Sequence, residues 1–301
     1  METNYLTDVM LPIALGIIML GMGLSLTPID FKRVVSYPRA AALGFANQIL
    51  VLPLVGFLLV LVFGLENLYL AVGIMVLSAC PGGPTSNLIS HISKGDTALS
   101  ISLTAISSLV AVITIPLIIN FSLSYFLQQG EYIPLPVLDT ILQLTFITLI
   151  PVGIGMFIRT KARRFAERMG KPVKVISAAL LFLIIFAAIN TNRDIFVSSF
   201  RDVGPVALAL NAAMLLIGYF SARFFRLNLA QSITISVESG IQNGTLGIMI
   251  ASTLLNNDVM AISSAIYSLI MFLTAGVIIA WMNLGYGKLK PVLLREKMGR
   301  P

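Results

Sequence analysis

With 301 residues, 57% of them hydrophobic and 11% charged, the chain departs from soluble domains, in which roughly 25% of residues are charged. It reads as an all-α polytopic membrane protein without a cleavable signal, since Met1 to Asp8 is polar and acidic and lacks a basic leading segment. The net charge of +7 is a matter of topology rather than of a nucleic-acid partner, and the single cysteine, Cys80, excludes an internal disulfide framework or a Cys-based structural zinc site.

Hydrophobic runs bounded by charged or Pro/Gly turns predict nine spans, near residues 9–28, 37–63, 68–92, 97–126, 135–158, 173–192, 203–222, 229–255 and 259–284. Each is compatible with the about 20 helical residues that cross a bilayer. Eighteen of the twenty Lys and Arg fall in loops on one side of this arrangement, and only Arg193 and Arg201 fall on the other. The positive-inside rule then puts the N-terminus outside and the C-terminus in the cytoplasm of a cell membrane. The basic stretch 159–174 is expected to be a linker.

Two spans are interrupted. The third, 68–92, carries Pro81-Gly82-Gly83-Pro84 in its middle; proline removes a backbone donor and clashes with the preceding turn. Two half-helices are expected there, the second capped by Thr85, Ser86 or Asn87. The eighth, 229–255, holds Gly240 and Gly244, with Asn243 or Thr245 as the expected cap. It lies in a 31-residue stretch, Leu227 to Asn257, whose only charge is Glu238. A carboxylate at that depth costs a few kcal/mol and marks a functional site by default.

Non-helical backbone at membrane depth persists only inside protein or beside a water-filled cavity. Paired broken spans in corresponding positions of two halves point to a transporter site. Span 3 runs inward and span 8 outward, each followed by one last helix of its half. The expected organisation is an inverted repeat, 1–128 and 129–301, interleaved into one unit. No Ser-His-Asp set, paired aspartates or zinc motif indicates an enzyme. The one histidine, His91, falls at the expected cytoplasmic end of span 3.

Pro81-Gly82-Gly83, Ser86-Asn87, the run Gly21-Met22-Gly23-Leu24-Ser25-Leu26, and Glu238 with Gly240 and Gln242-Asn243 resemble the bile acid:sodium symporter family over nearly the whole chain. The resemblance implies a panel and a core domain, with two broken helices crossing in the core. It also implies nine helices, as in the animal bile acid carriers, where bacterial members commonly have ten. By motif, it implies a first sodium site from Ser86, Asn87, Ser100, Thr104 and Glu238. A second would use Gln48, Glu238, Gln242 and the carbonyls of Ser239 and Ile241. These are the oxygen ligands a hard cation takes. Ser100 and Thr104 are spaced i, i+4 and so share a helix face. Substrate would lie beside Pro84, Thr85, Asn87 and Asn243. Pro84 stands where bacterial bile-acid-binding relatives have Thr, and Met271 and Phe272 stand where some carry a His-Asn pair. The cavity implied is therefore more apolar and differently shaped.

The function expected is sodium-coupled import of a small organic anion, a carboxylate, with Na+ as the only metal and no other cofactor. A proton-coupled carrier using Glu238, an uncoupled organic anion carrier, arsenite export using Cys80, and a ligand sensor that does not transport are the alternative readings.

Overall fold

The structure is a computed structural model that describes residues 9–127, 132–191 and 193–297. Residues 1–8, and the expected repeat boundary at 128/129, lie outside the described residues. Every element among the described residues is helical, apart from one isolated antiparallel bridge. Helix α1 is Leu11–Gly23, α2 is Pro28–Ser36 and α3 is Pro38–Ala46. The last continues through a π-helical turn, Asn47–Val51, into α4, Leu52–Phe63. The two halves of the third span are α5, Leu68–Ala79, and α6, Pro84–Ile92; α7 is Thr97–Phe126. Helix α8, Val137–Leu144, passes through a second π-helical turn into α9, Ile150–Lys161. Then follow α10, Arg163–Thr191, and α11, Arg193–Phe224. The eighth span comprises α12, Leu229–Gly240, and α13, Gly244–Met249, the latter extended by a π-helical turn to Leu254. Helix α14 is Asp258–Lys297.

Among the described residues, five helices are long and apolar enough to cross a membrane: 38–63, 97–126, 137–161, 195–224 and 258–284. A sixth is formed if the pair 163–170 and 175–186, bent by 48°, counts as one span. The chain is thus a multi-pass all-α membrane protein. Pro172 lies in the bend of the pair, where a proline costs the helix a hydrogen bond. The basic stretch 159–174, expected as a linker, is helical on both sides of Ala162. Its Arg, Lys and Glu are good helix formers, and Glu167 pairs with Arg163 one turn away at 2.9 Å.

The π-helical turns at Asn47–Val51 and Thr145–Leu149 each end two residues before a proline, Pro53 or Pro151. A proline cannot donate to the carbonyl four residues back, so the ladder widens locally to i→i+5. The first of these turns buries Asn47 and Gln48 side by side.

Helices pack closely through small residues, as membrane helices do. A Cβ at Gly23 in α1 would come 2.2 Å from the Val152 carbonyl of α9, and one at Gly73 in α5 would come 2.3 Å from the Met260 carbonyl of α14. Helix α1 packs on α9 and α10, while α12 lies against α11, α7 and α6. The broken spans sit inside this second group, with α5, α12 and α13 almost wholly buried.

Candidate functional site

The first break follows from its prolines. Cys80 is extended (φ −76°, ψ 140°), as residues preceding proline are. Pro84 opens α6 at a position where its missing N–H is no loss. The expected cap from Thr85, Ser86 or Asn87 is not what forms. Gly83 occupies the cap position without a side-chain bond, because Pro84 fixes the start of the helix one residue earlier. The Ser86 hydroxyl instead stands 2.8 Å from the Gly83 carbonyl. In the second break Asn243 is the cap, accepting from the Leu246 N–H at 3.1 Å. The two breaks meet: Gly82 and Gln242 form the antiparallel bridge, and the Asn243 N–H donates to the Pro81 carbonyl at 2.9 Å.

Glu238 lies at this meeting point, with no solvent exposure. Its Oε1 accepts from Ser86 Oγ at 2.7 Å and Ser100 Oγ at 2.5 Å. Its Oε2 accepts from Thr104 Oγ1 at 2.9 Å and Gln48 Nε2 at 3.4 Å. Among the described residues, no Lys or Arg is a partner of Glu238. Asn87 Oδ1 joins from the other side, 2.8 Å from Ser100 Oγ and 3.2 Å from Thr104 Oγ1. Ser100 and Thr104 thus share a face of α7, as their spacing predicts.

This cluster has more oxygen than hydrogen. The hydroxyls of Ser86, Ser100 and Thr104 stand within 3.2 Å of two carboxylate oxygens, the Asn87 amide oxygen and the carbonyls of Gly83 and Ser100. Each hydroxyl carries one proton and can satisfy one of these acceptors at a time. The remaining contacts set lone pair against lone pair, which a cation at their centre would turn from repulsive to attractive.

Beside it, Gln48 Nε2 donates to the Glu238 carbonyl at 3.0 Å, and Gln242 Nε2 donates to the Ser239 carbonyl at 2.6 Å. The amide oxygens of both glutamines, and Ser239 Oγ, are buried with no partner. Asn211 Oδ1 of α11 is a fourth such atom at the junction, and buried polar atoms are nearly always satisfied, so these orphaned oxygens call for an explanation. Ile241 is buried here with an extended backbone (φ −105°, ψ 106°).

A cavity of about 480 Å³ opens beside the crossing. Pro84, Thr85, Asn87 and Asn243, the expected substrate residues, all line it, as do Met271 and Phe272. Asn87 therefore faces both the cavity and the oxygen cluster. The cavity extends to His91, which is exposed at the end of α6 with Nδ1 3.2 Å from Thr97 Oγ1. Cys80 is buried, and its thiol donates to the Val76 carbonyl of its own helix at 3.2 Å.

Two residues at the junction escaped the sequence reading. Asn211 of α11 and Tyr267 of α14, both fully buried, each place a donor 2.8 Å from the Gly240 carbonyl. The signal for Asn211 was present: a bare amide in an apolar run is the feature that singled out Gln48. Tyr267 carries no such signal, because a tyrosine in a span is commonplace near membrane interfaces.

The model of the sodium bile acid symporter family matches residues 12–199. The probable sodium/metabolite cotransporter BASS2, chloroplastic, of Oryza sativa subsp. japonica is 30% identical over 287 residues, covering 95% of this chain and 65% of the rice protein. The uncharacterized sodium-dependent transporter YocS of Bacillus subtilis (strain 168) is 31% identical over 257 residues, 85% of this chain and 77% of its own length. Human sodium/bile acid cotransporter 4 is 33% identical over 242 residues, 80% of this chain and 55% of the human protein. The chain thus spans less than two thirds of the length of the rice and human proteins. By a family pattern that covers more than half of its residues, the chain belongs to the sodium bile acid symporter family, a family of membrane transporters rather than enzymes.

Proposed function

We propose that the chain is a sodium-coupled symporter that imports a small organic anion by alternating access, with about two sodium ions per anion. The observation that carries this reading is the oxygen excess around Glu238. One sodium ion would lie among Ser86, Asn87, Ser100, Thr104 and Glu238, replacing the unfavourable oxygen contacts with coordination. A second would lie among Gln48, Gln242, Glu238 and the carbonyls of Ser239 and Ile241. To ligate it, the two glutamine amides turn about their last bond, exchanging Nε2 for the orphaned Oε1. The names of the relatives support sodium as the coupling ion.

Charge bookkeeping supports an anion. A carboxylate with two sodium ions leaves +1, which a monovalent anion beside Thr85, Asn87 and Asn243 neutralises. The empty carrier crosses as −1 and the loaded one as neutral, so one positive charge moves inward per cycle. At 100 mV that charge is worth about 2.3 kcal/mol, enough for uptake to respond steeply to membrane potential.

The same reading divides the molecule into a panel of α1, α8, α9 and α10 and a core of the remaining helices. It is supported by the packing of α1 on α9 and α10, and by a cavity whose walls come from both groups. With α5–α6 and α12–α13 each taken as one broken span, nine spans and an inverted repeat of 1–128 and 129–301 result. The cavity beside the crossing reaches His91 and Thr97, at the end that the charge count assigns to the cytoplasm, which supports an inward-facing state on this reading. A thermal-shift screen of carboxylates with and without Na+ finds the substrate. Its uptake into proteoliposomes is then measured at fixed pH, with and without a sodium gradient and with imposed potentials. Uptake independent of sodium overturns the proposal, and uptake blind to potential overturns its stoichiometry.

A further inference from the structure

The two breaks differ in what holds them open. In the first, Pro81 and Pro84 enforce the interruption by covalent structure. The second, Gly240 to Asn243, contains no proline. Gly240 and Gly244 permit an interruption there, but glycine also fits a helix, at a cost of roughly 1 kcal/mol each. A continuous helix would bond the carbonyls of Glu238, Ser239 and Gly240 to the N–H groups of Gln242, Asn243 and Gly244. Something has to outcompete those bonds.

The hydrogen bonds at the junction show what does. The Asn243 N–H goes to Pro81 and the Gly244 N–H to the Gln242 carbonyl. The three abandoned carbonyls all accept from side chains. Glu238 O takes Gln48 Nε2, Ser239 O takes Gln242 Nε2, and Gly240 O takes both Asn211 Nδ2 and the Tyr267 hydroxyl, each at 2.8 Å. The glutamine bonds are lost whenever those amides turn toward a cation. The bonds to Gly240 are not, because Asn211 and Tyr267 touch neither the carboxylate nor the cavity. They reach in from two different helices, lie 3.3 Å apart and are fully buried. An amide so placed is expensive unless it has a task.

We propose that Asn211 and Tyr267 are positioning residues that keep the second break open by occupying the one carbonyl that would otherwise draw Gly244 back into the helix. Saturating Gly240 O with two donors fixes the Gly240–Ile241 peptide plane. It thereby aims the extended Ile241 into the junction and leaves Asn243 at the start of α13, where it caps the helix and faces the cavity. The inference deepens the symport reading and rests on it for the identity of the ion, but not for the geometry of the break.

Two readouts on the purified full chain, in Tyr267→Phe, Asn211→Leu and the double variant, test this separately. The first is backbone hydrogen exchange over residues 240–246. The second is the sodium dependence of the thermal midpoint, with choline keeping ionic strength constant. In the double variant Gly244 regains its helical acceptor, so exchange at its amide slows by about tenfold or more. The sodium half-saturation rises about tenfold, as expected for the loss of well-placed hydrogen bonds, and its cooperativity falls toward a single site. Tyr267→Phe removes one oxygen and leaves Asn211 donating, so it gives the smaller shift in the same direction. It also keeps the test decisive should the double variant not fold. Lower thermal midpoints with unchanged exchange and unchanged sodium half-saturation would overturn the proposal, leaving both residues as packing. A wild-type protein that sodium does not stabilise overturns the symport reading, and the exchange readout then judges the break on its own.

Discussion

Gly82 and Gly83 are neighbours with opposite expected tolerance for a methyl group. Neither has a positive φ, so alanine is conformationally allowed at both and the effect is one of space alone. A Cβ at Gly82 would lie 2.7 Å from Glu238 Oε2 and 2.9 Å from Gln48 Nε2, where ordinary contact begins at 3.4 Å. The carboxylate must therefore retreat by about 0.7 Å, yet it is fully buried and held by donors from three other segments. Overpacking of this kind costs about 1–3 kcal/mol, which as weakened sodium binding is roughly 5- to 150-fold. A Cβ at Gly83 meets nothing closer than 3.5 Å, the Cβ of Asn243. Gly83→Ala should thus bind sodium as the wild type does. The assay is the thermal midpoint of purified protein against sodium concentration, which needs no substrate. Gly82→Ala with wild-type sodium half-saturation, or Gly83→Ala as impaired as Gly82→Ala, would refute the placement of the cation at the carboxylate.

Further outcomes follow from the same geometry. Ser100→Ala removes the hydroxyl that joins Asn87 to Glu238, and a bond to a charged group is worth about 1.5–3 kcal/mol. Sodium half-saturation in uptake should rise by about tenfold or more, while Ser102→Ala, whose hydroxyl bonds only within its helix, leaves it unchanged. Asn243→Ala deletes the cap of α13 at a cost of about 1 kcal/mol. It should lower the thermal midpoint by a few degrees and raise the half-saturating substrate concentration more than that of sodium; the reverse order would remove Asn243 from the substrate side.

The first break was legible because proline chemistry is local: Pro81 and Pro84 forbid a continuous helix whatever surrounds them. Glu238, Gln48 and Asn243 were legible for a related reason, each being polar where the apolar surroundings make polarity costly. The mutual arrangement of Ser86, Asn87, Ser100 and Thr104 was legible only through the family motif, since hydroxyls at i, i+4 in a span serve equally as links between helices. What stayed hidden depends on register between distant helices. Nothing near Gly240 in the chain announces that Asn211 and Tyr267, 29 and 27 residues away, will converge on its carbonyl. The extent of α10 was misjudged because its basic first turns lie beyond the apolar run that marks the span. The cap of α6 was misplaced because Pro84 starts that helix before the polar residues that follow can cap it.

The most direct test of the central claim is equilibrium binding of radiolabelled sodium to purified wild-type protein and to Glu238→Ala, both checked for folding by their elution and thermal midpoints. The account predicts saturable sodium binding that disappears when Glu238 becomes alanine, since both ions share its carboxylate. A folded Glu238→Ala protein that binds sodium as the wild type does would contradict it.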